Sequence, residues 1–264
     1  MQNANPKLIA VLREVSPAIQ NCELTHLARQ PIDLELAVRQ HRDYAGALQA
    51  LGCETVVLPA SPALPDSVFV EDSALVLDEL AVITRPGAPT RRQETPAIRR
   101  ALQPYRRLAE ITAPGTLEGG DILILGRRIY VGQSTRSNLQ GLAQLLAILA
   151  PFGYQVQGVP VQGCLHLKSA VTQVGPNQVL LNPQWVDPQI FEGLEVQFVD
   201  PGEPYAANAV WLEVGLVYPA CFPRTQARLA AKGITALSVD VSELQKAEGA
   251  VTCCSLIFKA LPSV

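Results

Sequence analysis

Short apolar runs separated by turn residues recur along the whole chain, with stretches of helical spacing between them. Residues 8–12 (Leu-Ile-Ala-Val-Leu) are the first such run and are short enough to read as a strand. Asp33 stands where an N-cap belongs, and Leu34, Ala37, Val38, Tyr44, Leu48 and Leu51 follow at helical spacing. Gly52 then takes the place of a residue that ends a helix, and a strand is predicted over residues 55–58. Beyond the proline-punctuated loop of residues 59–65 the pattern changes to paired strands. Residues 74–77 and 81–84 flank Asp78-Glu79 and precede a basic-faced helix over 91–103. Residues 122–125 and 129–131 flank Gly126-Arg127-Arg128 and precede a helix over 137–150. A strand after Ser169 and one over 179–181 flank Gly175-Pro176-Asn177-Gln178 and lead to a short helix near 188–191. Residues 210–213 and 216–218 precede a helix over 225–232 and a strand over 234–239. The apolar, β-branched segment from Gly249 to Phe258, which holds Cys253, predicts a buried strand.

A unit of strand, turn, strand, helix, strand therefore repeats, and a polar residue opens each one. Between Glu71, Glu118, His166, Asn208 and Cys253 the steps are 47, 48, 42 and 45 residues. Near-constant periods of this length are the mark of radial or solenoidal repetition. Apolar strands at both ends favour closure, because the terminal repeats of an open stack need polar outer faces. The N-terminal strand is expected to complete a fifth unit with the C-terminal one. The predicted fold is thus α/β, a pseudo-symmetric five-bladed propeller of ββαβ units around a central site. Arrangement about an axis would bring Glu71, Asp72, Glu118, His166 and Cys253 face to face.

Composition narrows the partners. The 264 residues carry 48 % apolar and 17 % charged side chains and suit a well-packed protein, read here as one domain over residues 1–264. A net charge of −3, with 21 basic against 24 acidic residues and no polybasic block, argues against nucleic acid. No uncharged apolar run reaches the ~18 residues of a membrane span. Residues 1–6 are polar and lack the apolar core of a signal peptide. Cys22, Cys53, Cys164, Cys221, Cys253 and Cys254 show no CxxC spacing, which argues against a structural zinc site and for reduced thiols. The expected compartment is the cytoplasm, and the expected assembly a monomer or homodimer.

Cys253, His166 and Glu118 together form the general arrangement for attack on an electrophilic carbon: a thiol, an imidazole and a carboxylate that orients the imidazole. Asp66, Glu71, Asp72 and Asp121 add carboxylates, and several of them around one thiol suit a cationic substrate. A planar guanidinium, with its fixed fork of donors, matches two carboxylates. Arg91 and Arg136 follow the first two strand pairs and are candidates to hold an anion such as a substrate α-carboxylate. His26 and His41 receive no role.

The segments Leu64-Pro65-Asp66-Ser67-Val68-Phe69-Val70-Glu71-Asp72, Ile83-Thr84-Arg85-Pro86-Gly87-Ala88, Thr116-Leu117-Glu118-Gly119-Gly120-Asp121, Leu165-His166-Leu167-Lys168 and Thr252-Cys253-Cys254-Ser255 resemble the dimethylarginine dimethylaminohydrolase family, in order and across the chain. The resemblance implies the five-bladed α/β propeller (pentein) fold of the guanidine-modifying superfamily. It implies hydrolysis of Nω-methylated arginine to citrulline and a methylamine through a covalent thiouronium, with no metal or organic cofactor. By position, Cys253 is similar to the family's nucleophile, His166 to its general acid/base and Glu118 to the third triad member. Asp66 and Asp72 would hold the guanidinium with Glu71 beside them, Arg91 and Arg136 the α-carboxylate, and the carbonyls of Leu24 and Ala247 the α-amino group. Zinc is a candidate inhibitor, since thiolate and imidazole ligate it well. The alternatives are a deiminase acting on unmethylated arginine or another guanidine, and a non-enzymatic binding protein of the same fold.

Overall fold

Five three-stranded sheets account for the β structure of residues 7–260, the part of the chain described by the computed structural model. The polar residues 1–6, read above against a signal peptide, lie outside the described residues. The chain opens with β1 (Leu8–Arg13), α1 (Leu34–Ala50) and β2 (Cys53–Leu58). It continues through β3 (Ala74–Val76), β4 (Ala81–Ile83), α2 (Thr95–Leu102) and β5 (Leu108–Glu110). Then come β6 (Ile122–Leu125), β7 (Arg128–Gln133), α3 (Leu139–Leu149) and β8 (Gln155–Pro160). The third repeat is α4 (Leu167–Ala170), β9 (Val171–Gly175), β10 (Gln178–Leu181) and β11 (Glu195–Phe198). The fourth is β12 (Val210–Leu212), β13 (Gly215–Pro219), α5 (Pro223–Ala231) and β14 (Ala236–Val239), after which α6 (Ser242–Gln245) leads to β15 (Leu256–Lys259).

Every sheet has the same grammar. The inner strand pairs antiparallel with the middle one, in the first four repeats through a tight turn, as β3 does with β4. The middle strand pairs parallel with the outer one after a crossover, as β4 does with β5. The last sheet has the order β15-β1-β2: β1 pairs antiparallel with β15 (Leu8 opposite Lys259) and parallel with β2. The ring therefore closes by joining the two ends of the described chain, as the terminal apolar runs predict. Closure also spares the innermost strands an exposed edge.

Packing follows from the burial of these strands. Ala10 and Leu12 of β1, with Ala37, Tyr44 and Leu48 of α1, share one core with Val251 and Cys254 beside the last strand. Ala37, Tyr44 and Leu48 of the apolar spacing read along α1 are thus the face that clamps the closing sheet, while Leu34 and Val38, read with them, are exposed. The Asp33 side chain caps the helix by accepting from Leu36 N at 2.9 Å.

Three features differ from the sequence reading. The outer strands β5, β8 and β11 carry no apolar run, because each is an edge strand with largely half-buried or exposed positions. The segment predicted as one strand from Gly249 to Phe258 is a turn up to Cys254, and the strand begins only at Leu256. Its backbone groups find partners outside any ladder: Thr252 N donates to Asn208 Oδ1 at 3.0 Å, Cys253 O accepts from Glu71 N at 3.1 Å, and Cys253 N donates to Ala250 O at 3.2 Å. With those groups satisfied by neighbouring repeats, an extended conformation would gain nothing. The helix expected over 91–103 also divides, into a 3-10 segment Pro89–Glu94 and α2, with Pro96 in its first turn.

Tyr44 Oη and Ser255 Oγ lie 2.7 Å apart, both buried, and tie α1 to the closing sheet. Replacing Tyr44 with Phe leaves the serine hydroxyl buried without its partner, so stability should fall by about 1–3 kcal/mol. Denaturant titration checks this, with the midpoint moving and the slope unchanged.

Candidate active site

The polar residues that open the repeats stand on one-turn segments just before the inner strands. Glu71 and Asp72 belong to the 3-10 segment Val70–Ser73, Glu118 caps the segment Gly119–Asp121, and His166 caps α4. Cys253 occupies the turn before β15. A turn at the inner end of each sheet aims its side chain along the axis, which is why residues far apart in sequence converge. Close approach of these turns depends on glycine. A Cβ on Gly120 would lie 2.5 Å from His166 Nδ1 and 2.9 Å from Asp72 Oδ1, and one on Gly119 would collide with the Glu71 carbonyl.

Glu118 and His166 form the first pair, with Oε2 2.7 Å from Nε2. The other carboxylate oxygen accepts from Gly87 N at 3.0 Å and lies 3.5 Å from Arg136 Nη1. Asp72 accepts from Gly120 N at 2.9 Å and from Arg91 Nη1 at 2.6 Å, and stands 3.9 Å from His166 Nε2. Asp121 takes the hydroxyls of Ser134 and Ser137, both at 2.6 Å, and Leu167 N at 3.0 Å, thereby fixing the first turn of α4 next to His166. Glu71 pairs with Lys168 Nζ and accepts from Thr252 Oγ1 at 2.9 Å.

Asp66, Asp72, Arg91, Arg136, His166, Ala247 and Cys253 line a single cavity of ≈ 20 Å³. Glu118 stands behind His166, and Glu71 beneath the site with Lys168. Leu24 is half-buried on the 22–27 segment that covers the cavity. The two arginines are placed differently. Arg91 is bound to Asp72, to both oxygens of Glu94 and to the Phe69 carbonyl, whereas Arg136 makes a hydrogen bond to Thr25 Oγ1 at 2.9 Å. Asp66 is turned toward the covering segment, where Glu23 N lies 3.2 Å from both its oxygens. Glu94, Lys168 and Glu248 received no role from sequence. None of them opens a repeat, so the period that exposed the others passes over them.

A much larger cavity, ≈ 800 Å³, reaches the centre of the ring past the inner strands and ends at Glu71, Lys168 and Thr252. It touches none of Cys253, His166 and Asp72, so size alone does not locate the chemistry.

The charges settle in a definite state. Burial alone would lower the imidazole of His166, but the carboxylates of Asp72, Asp121 and Glu118 outweigh it and hold the ring up to about 9. Burial likewise would raise Asp72, but His166 and Arg91 hold it down at about 2. The Cys253 thiol moves the other way: burial pushes it up, and Glu71 and Asp72 push it further. Burial raises Asp66, Glu71 and Asp121, whereas at Glu118 burial is outweighed by His166, which holds it down. At neutral pH the site holds an imidazolium, ionised Asp72 and Glu118 and a protonated thiol, with no hydrogen bond between Cys253 and His166 among the described residues. The ligand atoms of Asp72, Glu118 and His166 lie within 4.8 Å of one another and could meet a cation. Their lone pairs are already committed to Arg91, backbone amides and the imidazolium, which disfavours one.

These shifts fix a pH dependence. The Asp72 contribution to stability is present above its ordinary 3.8 and is lost as pH falls through about 2. The His166 contribution is complete below its ordinary 6.5 and is lost as pH rises through about 9. Buried thiols such as Cys164, pushed up to about 12, lose stability in the alkaline range too, so a comparison isolates the imidazole. The melting temperature should fall as pH rises from about 6.5 to about 9, and His166→Gln should flatten that fall. An equal fall in both proteins would assign it to other groups.

Comparison with known proteins places the chain as a whole. The family described as "N,N dimethylarginine dimethylhydrolase, eukaryotic" matches residues 17–189. The N(G),N(G)-dimethylarginine dimethylaminohydrolase of Pseudomonas aeruginosa is 37 % identical over 236 residues, 89 % of this chain and 92 % of that one. The protein of the same name from Streptomyces coelicolor is 39 % identical over 259 residues, 97 % of this chain and 99 % of the other. A mutant of the Pseudomonas aeruginosa protein, solved in complex with citrulline, superposes with a TM-score of 0.89 at 34 % identity and covers 97 % of this chain and 100 % of that one. Sequence identity over nearly the full length and the same fold show that the chain belongs to the dimethylarginine dimethylaminohydrolase family.

Proposed function

We propose that the chain hydrolyses Nω-methylated arginine to citrulline and dimethylamine or methylamine, with Cys253, His166 and Glu118 as its catalytic residues. The observation that carries this reading is electrostatic. A neutral thiol and an imidazolium line one cavity without bonding to each other, and carboxylates stand on the side where a cation is needed.

The groups suit the steps in turn. A guanidinium entering beside Asp72 and Glu71 neutralises the field that keeps the Cys253 proton in place, so substrate binding itself favours loss of that proton to solvent. The thiolate then attacks the guanidinium carbon and forms the Sγ–C bond. As the bond to the methylated nitrogen breaks, His166 gives its proton to the departing amine. Glu118 holds the ring in place and stabilises its charged form. The neutral imidazole next takes a proton from water, whose oxygen attacks the thiouronium carbon. The Sγ–C bond breaks, the thiolate leaves and citrulline forms. No cofactor enters these steps.

The far end of the substrate is held by different groups. Arg136 is the better placed of the two arginines for the α-carboxylate, since Arg91 is engaged with Asp72 and Glu94. The role of Arg91 is then to fix Asp72. Asp66, expected beside the guanidinium, is turned toward the segment that carries Leu24, so its carboxylate suits the α-ammonium together with the carbonyls of Leu24 and Ala247. The reading extends to one domain over residues 1–264, acting in the cytoplasm as a monomer or homodimer on a small-molecule substrate. Among the described residues no helix is long and apolar enough to cross a membrane.

Steady-state citrulline formation from asymmetric dimethylarginine, monomethylarginine and arginine tests the proposal. The methylated substrates should have the higher kcat/KM, and a preference for arginine would reassign the chain to deiminase chemistry. Cys253→Ser should lower kcat by at least about a thousandfold, as removal of a nucleophile does; turnover within about tenfold of wild type would move the nucleophile elsewhere. Arg136→Ala should raise KM for methylarginine by about tenfold to a hundredfold, the worth of a charged hydrogen bond. Methylated agmatine, which lacks the carboxylate, should be affected much less, and equal effects would remove Arg136 from that role.

A further inference from the structure

Glu248 holds a left-handed backbone, φ 58°, the one non-glycine residue among the described residues to do so. Glycine or asparagine would occupy this conformation at lower cost, so a glutamate there points to work done by its side chain. The carboxylate is the shared acceptor for three consecutive amides of the covering segment. Thr25 N lies 3.0 Å from Oε2, and His26 N and Leu27 N lie 2.5 and 2.6 Å from Oε1. Successive amides converging on one carboxylate form an anion-binding concavity, and each charge-assisted bond is stronger than a neutral one.

The segment so held roofs the cavity. Glu23 lines it, Glu23 N is bonded to Asp66, and Thr25 Oγ1 accepts from Arg136. With the roof seated the cavity has ≈ 20 Å³, room for about one water and not for an amino acid. Substrate therefore gets in only when residues 23–27 lift, and reseating them restores the Leu24 carbonyl to its place. Glu248 directly follows Ala247, whose carbonyl is the other candidate for the α-ammonium, so one residue sets both sides of that subsite.

We infer that Glu248 is a positioning residue that latches segment 23–27 over the bound amino acid and thereby makes the enzyme select substrates bearing an α-ammonium. Its role as a latch is independent of the chemistry; its role in selection rests on the methylarginine reading above.

Two measurements separate these. Trypsin cuts after Arg29, whose guanidinium folds back onto the carbonyls of Gln20 and Cys22 at the end of the segment. Glu248→Gln should be nicked there about tenfold faster than wild type without substrate, and citrulline should protect wild type more than the variant. In kinetics the variant should raise KM for asymmetric dimethylarginine more than it lowers kcat. Its penalty on kcat/KM should be at least about tenfold larger for that substrate than for the des-amino analogue. Glu248→Gly, which relieves the backbone strain, should be nicked like Glu248→Gln while melting no lower, which excludes general loosening of the fold. Nicking at the wild-type rate in both variants overturns the latch, and equal penalties on the two substrates overturn selection. A wild type that forms no citrulline while both variants are nicked faster would refute the methylarginine reading and the selection that rests on it, and leave the latch standing.

Discussion

Buried charge is the constraint on which the rest of this structure depends. Glu71, Asp72, Glu94, Glu118 and Asp121 are all buried at or near the centre of the ring. Each has a specific answer: Lys168 for Glu71, Arg91 for Asp72 and Glu94, His166 for Glu118, and two serines with a backbone amide for Asp121. Ions taken out of water are tolerated only with such partners, and removing one typically costs about 3–5 kcal/mol. The geometry of the inner turns follows. Gly119 and Gly120 have no Cβ because the Glu71 carbonyl and the His166 ring occupy that space, and the turns replace strand where their amides must reach a side chain of the neighbouring repeat.

Much of this was legible in the sequence because it is periodic. The residues that open the repeats gave the propeller, its closure and the central group of Glu118, His166 and Cys253, without any local motif having to be strong. What escaped is what breaks the period. The outer strands β5, β8 and β11 look polar because they are edges, and Cys253 looked like a strand residue because its apolar neighbours are buried in a turn. The partners of Arg91 were invisible for another reason. An arginine bound to Asp72 and Glu94 and one bound to Thr25 are alike in one dimension, and only packing shows which retains donors toward a ligand.

The same buried charges partition the interior. Glu71, Lys168 and Thr252 form a floor, with the small reactive cavity on one side and the ≈ 800 Å³ cavity on the other. Asn208 fastens that floor through Thr252, donating to its hydroxyl and accepting from its amide, both at 3.0 Å. The repeat without an ionisable opening residue thus contributes rigidity. Pseudo-symmetry is used unequally: four repeats supply charge or thiol, and one supplies a clamp.

Ring closure has a consequence for the order in which the molecule becomes reactive. The thiol lies in the turn that leads into the closing sheet, which is built from both ends of the described chain through the pairing of β1 with β15. Every other polar group of the site is already encoded upstream, in repeats whose contacts are mostly local. Pairing across almost the whole sequence carries the largest loop-closure cost and is therefore late in folding. Until it forms, Cys253 is an ordinary cysteine, without the carboxylate field that shuts down its ionisation or the imidazolium opposite. Closing the ring is thus the step that quiets this thiol, exchanging an ordinary, freely ionising cysteine for one that burial and the neighbouring carboxylates keep protonated.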